Sequence, residues 1–248
     1  DQSVLLRTSE QAGRLPLWEE IAGVAADAKP LHAFTQGNRR YFIAAADADA
    51  PAGFAFEGIR VFRTLLPTAD GALLNAAWHL WVWYREHRFC GTCGGKMAIS
   101  VNERALVCEH CGHTLFPSIA PAVIMAVTDG DRLLLARNAN GAWRKYSLVA
   151  GYVEIGETAE QAVRREVLEE VGLTVKNIRY IASQPWGLSQ SLMLGFTAEL
   201  DGSPEITLQQ SELSDARWFR RAEIPAIDST ASIAFDLMER FRQGRLGI

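Results

Sequence analysis

The chain has 248 residues, more than the roughly 100 to 200 of an ordinary single domain, so one large or two modest domains are expected, each able to bury a core. Apolar residues make up 48% and charged residues 22%, with 20 Gly and 9 Pro, which excludes collagen-like, mucin-like and wholly disordered chains. The net charge of −4 supplies no overall basic field for holding nucleic acid, so such a role would need a local patch, for which Arg85, Arg88, Lys96 and Arg104 are the modest candidates.

In chain order, residues 1–88 read as a small α+β domain. It has apolar strands at 41–45 and 59–66, an Ala-rich loop at 45–51, and a helix over 71–87. Leu74, Ala77, Trp78, Trp81 and Tyr84 recur on that helix at helical spacing, as a packing stripe rather than a cofactor box. A short hairpin follows, 96–101 and 104–107, turning at Asn102 and Glu103. From residue 117 the pattern is strands at 122–127 and 132–136, a helix opening at Thr158 and stopped by Gly172, strands at 178–184, 192–199 and 216–219, and a last helix over 231–242. Strands interleaved with two long helices predict an α/β fold, a mixed-sheet α/β/α sandwich. The longest apolar runs, such as 120–127, fall short of the roughly 20 residues of a membrane span, and no basic-then-apolar signal segment opens the chain, so a cytoplasmic location without membrane partners is expected.

All four cysteines lie between Cys90 and Cys111, in the pattern Cys90-x2-Cys93-x14-Cys108-x2-Cys111. Paired thiolates on short turns suit tetrahedral zinc, which wants four soft ligands brought together, against the alternatives of two crowded disulfides or a redox pair. Gly91, Gly94, Gly95 and Gly112 flank the cysteines, where tight turns let backbone amides approach sulfur. His110 and His113 read as exposed loop residues, since four thiolates already complete the tetrahedron. Such a closed site leaves no open coordination position, so the chemistry must lie elsewhere.

It is predicted in the stretch from Gly151 through Glu157, Arg165, Glu166, Glu169 and Glu170 to Gly172 and Leu173. Ala159, Ala162, Val163, Val167 and Val171 form an apolar helical face, and the charged residues cluster opposite. Glu166 and Glu170 are i and i+4, so their carboxylates can share one hard divalent cation, with Glu169 able to join them. The bland alternative is a solvated helical face of Arg–Glu pairs.

The full string G-x5-E-x7-R-E-V-x-E-E-x-G-L resembles a complete Nudix box. Downstream, Ser183-Gln-Pro-Trp-Gly-Leu-Ser-Gln-Ser191 is similar to the S-Q-P-W-P-F-P-x-S array of the NADH pyrophosphatase branch of that family, with Gly187, Leu188 and Ser189 in place of Pro, Phe and Pro. The four-cysteine ribbon ahead of the box is that branch's other mark. The resemblance implies three parts: an N-terminal domain at 1–88, a zinc ribbon at 89–116 and a catalytic domain at 117–248. It implies structural Zn2+ on Cys90, Cys93, Cys108 and Cys111. Catalytic Mg2+ or Mn2+ would sit on Glu166, Glu170, Glu212 and the carbonyl of Ala150, with Glu169, Arg165 and Glu157 completing the catalytic cluster. Substrate contacts would come from Phe116 and Tyr152 as base-stacking rings, from Gln184, Pro185, Trp186, Gly187, Leu188, Ser189, Gln190 and Ser191, from Ala234, and most weakly from Arg60. The implied activity is hydrolysis of the pyrophosphate of NADH or NAD to nicotinamide mononucleotide and AMP by a homodimer. Removal of an NAD cap from RNA 5′ ends and hydrolysis of ADP-ribose are same-fold alternatives. A zinc-ribbon module that senses a nucleotide without cleaving it is the alternative from a different class.

Overall fold

The computed structural model describes residues 3–8, 13–23, 30–45, 49–63, 68–140, 145–224 and 232–246. The chain divides into two compact units, one of residues 1–118 with Trp186–Gln190, the other of Ile119–Pro185 with Ser191–Ile248.

In the first unit, β1 (Ser3–Arg7) is followed by a single helical turn, α1 (Trp18–Ile21), and by the antiparallel hairpin of β2 (Leu31–Gln36) and β3 (Arg39–Ile43). Next, β4 (Phe54–Gly58) pairs antiparallel with β1. The expected strand at 59–66 is instead a 3-10 turn over Ile59–Arg63, and residues 64–66 lie outside the described residues. The reason is packing. Ile59 and Phe62 are both buried against Leu6, Leu74 and Trp78, and a 3-10 turn puts i and i+3 on one face, where a strand would send them to opposite faces. The long helix α2 (Thr68–Glu86) contributes Leu74, Trp78 and Val82 to this cluster, with Trp81 half-buried against it, so the stripe packs mainly through Leu74 and Trp78. The ribbon is a three-stranded sheet of β5 (Met97–Ile99), β6 (Leu106–Cys108) and β7 (Thr114–Leu115). Its first hairpin is shorter than expected, closed by the Ser100 N–H donating to Ala105 O.

The second unit holds a six-stranded mixed sheet built on β8 (Ala120–Asp129). One edge of β8 pairs in parallel with β12 (Ser191–Leu200). Its other edge pairs antiparallel with β10 (Val149–Tyr152) over Ala122–Met125, and with β9 (Arg132–Asn138) beyond. The outer strands are β11 (Val175–Trp186) beside β12, and β13 (Leu213–Arg220) beside β9. Alternate residues of β8 face two different helices. Val123, Met125 and Val127 pack with Ala162, Val163, Val167 and Val171 of α3 (Ala159–Val171). Ile124 and Ala126 pack with Ile233, Leu237 and Phe241 of α4 (Ile233–Arg242). Burial on both faces explains the unbroken apolar run of β8, and each fully buried aliphatic side chain adds about 1.5 to 3 kcal/mol. This is the α/β/α sandwich read from the pattern. The last helix starts at Ile233; Ala231, where its beginning was expected, lies outside the described residues. No helix among the described residues is long and apolar enough to cross a membrane.

Candidate active site

The helix α3 begins and ends where its sequence dictates. Thr158 is the N-cap, its Oγ1 accepting from Gln161 N–H at 3.2 Å while the Gln161 side chain accepts from Thr158 N–H at 2.8 Å. Gly172 ends it in the left-handed region at φ 69°, and a Cβ there would also press on Thr207 Cβ at 2.8 Å. With the apolar face buried against the sheet, the boundary between that face and solvent carries Glu166 and Glu170, which are only 8% and 6% exposed.

Arg165 organises the charges. Its guanidinium makes a two-pronged contact with Glu157, 2.9 Å on each arm, and reaches Glu166 at 2.8 Å, Glu169 at 3.0 Å and the carbonyl of Tyr152 at 2.8 Å. Glu157 also accepts from the Glu154 N–H at 3.0 Å, and its carboxyl is held below the usual range, first by Arg165 and then by that amide. One arginine thus ties the loop after β10 to the acidic face of the helix.

The Glu170 carboxylate is left out of that network, with no side-chain hydrogen bond to it among the described residues. Burial, then the charges of Glu166, Glu212 and Glu169, push its carboxyl up to about 8. Burial likewise raises Glu166, against the opposing pull of Arg165. Glu212 is brought in by the loop before β13. Gln209 N–H donates to the carbonyl of Glu170 at 3.0 Å, and Glu212 N–H donates to Gln209 O at 3.0 Å. A buried carboxylate with three like charges nearby and no side-chain donor fits a divalent cation. Gly151 belongs to the same construction, since a Cβ on it would occupy the space of the Glu166 carboxylate. Its strand, β10, also carries Ala150 and the exposed ring of Tyr152; β10 went unread in the sequence because it is only four residues long.

The remaining predicted residues fall in two places. Gln184 and Ala234 both lie in the second unit, where Gln184 Oε1 accepts from Ile233 N–H at 2.6 Å and so caps the first turn of α4, while Ala234 is buried in the core behind it. Beside them lies an open cavity of about 210 Å³ lined by Ser183, Gln184, Ser232 and Asp236 among others. Pro185 is exposed and Ser191 fully buried at the head of β12. Trp186, Gly187, Leu188, Ser189 and Gln190 belong instead to the first unit, as do Phe116 and Arg60, both exposed. Trp186 and Leu188 pack on its core, the indole edge-on to Phe62 at 5.9 Å and beneath the Arg63 guanidinium at 4.5 Å. Both side chains are half-buried there.

The four cysteines converge. Their sulfurs all lie within 4.8 Å of one another, with Cys90–Cys111 at 3.8 Å and Cys93–Cys108 at 3.5 Å. A zinc tetrahedron with bonds of about 2.3 Å has edges of about 3.8 Å, so the set fits the ion. Backbone amides point at the sulfurs, Thr92 N–H to Cys90 at 3.4 Å and Cys111 N–H to Cys108 at 3.5 Å, and they lower both thiols, Cys90 to about 6. Gly95 could not be larger, because a Cβ would press on His110 and on the sulfurs of Cys108 and Cys93.

Comparison with known proteins agrees with this geometry. Residues 118–241 match the NUDIX domain model, and residues 85–116 match that of the NADH pyrophosphatase zinc ribbon domain. A Stutzerimonas stutzeri protein named NAD-capped RNA hydrolase NudC is 46% identical over 200 residues, 81% of this chain and 72% of that protein. One of the same name from Pseudomonas syringae pv. syringae is 42% identical over 214 residues, 86% of this chain and 77% of that protein. Among solved structures, a NUDIX hydrolase from Nitrosomonas europaea superposes with a TM-score of 0.56 at 26% identity, covering 64% of this chain and 92% of that one. With a capped acidic helix on a mixed sheet, a four-thiol ribbon, and relatives this similar over most of their length, the chain belongs to the Nudix hydrolase family, in the branch that carries an NADH pyrophosphatase zinc ribbon.

Proposed function

We propose that the chain hydrolyses the pyrophosphate bond of NADH or NAD, giving nicotinamide mononucleotide and AMP, with Mg2+ or Mn2+ held by Glu166, Glu170, Glu212 and the Ala150 carbonyl. The observation that carries this reading is the buried Glu170 carboxylate beside Glu166 and Glu212, a charge set that a divalent cation would neutralise. When bound, such a cation polarises the phosphate and lowers the pKa of water. The chain's own residues do the rest. Arg165 holds Glu157 and Glu169 in place from one guanidinium, Gly151 clears the space for Glu166, and Tyr152 offers an exposed ring for a base to stack on. Phe116 offers a second exposed ring. The ribbon holds Zn2+ as a structural ion, in keeping with four unpaired cysteines and a reducing, cytoplasmic setting. Incubation with NADH and Mg2+ followed by chromatography tests the reading, and an unchanged dinucleotide would favour a sensor that binds without cleaving.

A second reading, cleavage of an NAD cap from RNA, is favoured by the names of the relatives. Arg85, Arg88 and Lys96 are exposed in the first unit, whereas Arg104 is tied to the carbonyl of Ala33. Cleavage of capped RNA should fall steeply with salt if these cations hold phosphates, while cleavage of free NADH should not. A homodimer is part of the same proposal, tested by light scattering.

A further inference from the structure

The place where this chain departs from the family array, Gly187-Leu188-Ser189, is also a place where its backbone is closely fitted to a neighbour. The Gly187 N–H donates to Oδ1 of Asn75 at 2.8 Å, and Asn75, on α2, is 7% exposed. A Cβ on Gly187 would collide with the backbone carbonyl of Asn75 and press on Oδ1. On either side, Trp186 and Leu188 pack into the cluster formed by Phe62, Leu74 and Trp78. The turn then closes on itself, with Ser189 N–H to Trp186 O at 3.3 Å and Gln190 N–H to Gly187 O at 3.4 Å, and Gln190 takes a positive φ of 55°. A proline at 187 could not make this structure. It has no N–H, so Asn75 Oδ1 would lose that donor, and its ring would need the space that α2 already fills.

We propose that Asn75 is a positioning residue for the substrate-contacting segment, holding the Gly187–Gln190 turn in a conformation that the proline-bearing array cannot adopt and thereby setting the affinity for the dinucleotide. This rests on the reading of Gln184–Ser191 as substrate-contacting. Asn75 acts through the turn and touches no reacting atom. The pairing is specific to the two residues together: glycine supplies the N–H and the missing Cβ, and asparagine supplies a buried acceptor.

The test compares Asn75→Leu, which removes the acceptor, with Asn75→Asp, which keeps it, in steady-state hydrolysis of NADH with Mg2+. For Asn75→Leu, KM should rise about five-fold or more, the size of one buried hydrogen bond, with kcat within about two-fold of wild type. Asn75→Asp should recover most of that rise. Hydrogen exchange over peptides spanning 184–191 supplies the second measurement, and needs no variant to begin. The Gly187 amide should exchange slowly in the wild-type protein and quickly in Asn75→Leu. An unchanged KM in Asn75→Leu, or a Gly187 amide already in fast exchange in the wild type, overturns the proposal. Failure of the underlying activity is separate, because it would appear as no turnover by the wild-type protein in the same assay.

Discussion

The ribbon and the acidic helix are both metal sites in the reading of this chain, yet they are built in opposite ways. In the ribbon the four sulfurs already stand within 4.8 Å of one another, and among the described residues no three carboxylates draw together like that. Thiols can crowd because amides from the turns and neighbouring S–H groups stabilise a thiolate such as Cys90 until a metal replaces the remaining protons. Carboxylates at neutral pH repel, so α3 supports its cluster only by giving Arg165 to Glu157, Glu166 and Glu169 and by leaving Glu170 to take up a proton. A closed set of soft ligands serves stability, and a strained set of hard ones keeps affinity in reserve for a cation and its substrate.

The largest effect should come from breaking the ribbon. Replacing Cys108 by Ser should abolish zinc binding measured by elemental analysis and unfold the ribbon, since structural zinc contributes on the order of 10 kcal/mol in small metal-held folds. Thermal melting followed with and without a strong chelator would detect the same loss in the unaltered protein. Next in size is Glu170→Gln, for which turnover of NADH should fall about 100-fold or more while zinc content stays at one per chain. Near-normal turnover would remove Glu170 from the metal site.

Gly151→Ala sharpens the comparison further, because its new methyl group would displace the Glu166 carboxylate without altering any charge. Turnover should drop about ten-fold or more at low Mg2+ and partly recover at high Mg2+, a pattern of weakened metal affinity that a titration would show. The smallest effect concerns pH. A carboxyl whose folded pKa is about 8 against an ordinary 4.5 binds its proton more tightly when the protein is folded. Its destabilising ionisation is therefore absent below about pH 4.5, grows as pH rises, and is complete above about 8. Melting temperature without Mg2+ should decline across that window by a few degrees, and added Mg2+ should restore it and release protons. Glu170→Gln should flatten the decline.

Much of this was legible before any coordinates. The cysteine spacing, the apolar run at 120–127, the helix opening at Thr158 and the Gly172 stop are local signals, each read from a few neighbouring residues, and each element formed there. Other features depended on distant contacts. The 59–63 stretch has strand-like composition, but Ile59 and Phe62 needed a common face against α2, so the backbone coiled. Strand β10 is too short to show a period and exists because β8 supplies a pairing edge. Trp186 reads as a ligand contact by its place in the motif, and its packing beneath Arg63 is a long-range contact that the motif does not carry.

The amino-acid sequence by itself determined the family, the sandwich, the ribbon's four ligands and the helix that carries the glutamates, because periodicity, caps and ligand spacing act over one or two turns of chain. Only the tertiary structure decided which carboxylate is left without a donor, why residue 151 must be glycine, and that the altered Gly187 answers to Asn75, 112 residues earlier. Those are properties of close approach between segments far apart in the chain, and burial and steric exclusion arise only when the segments have met.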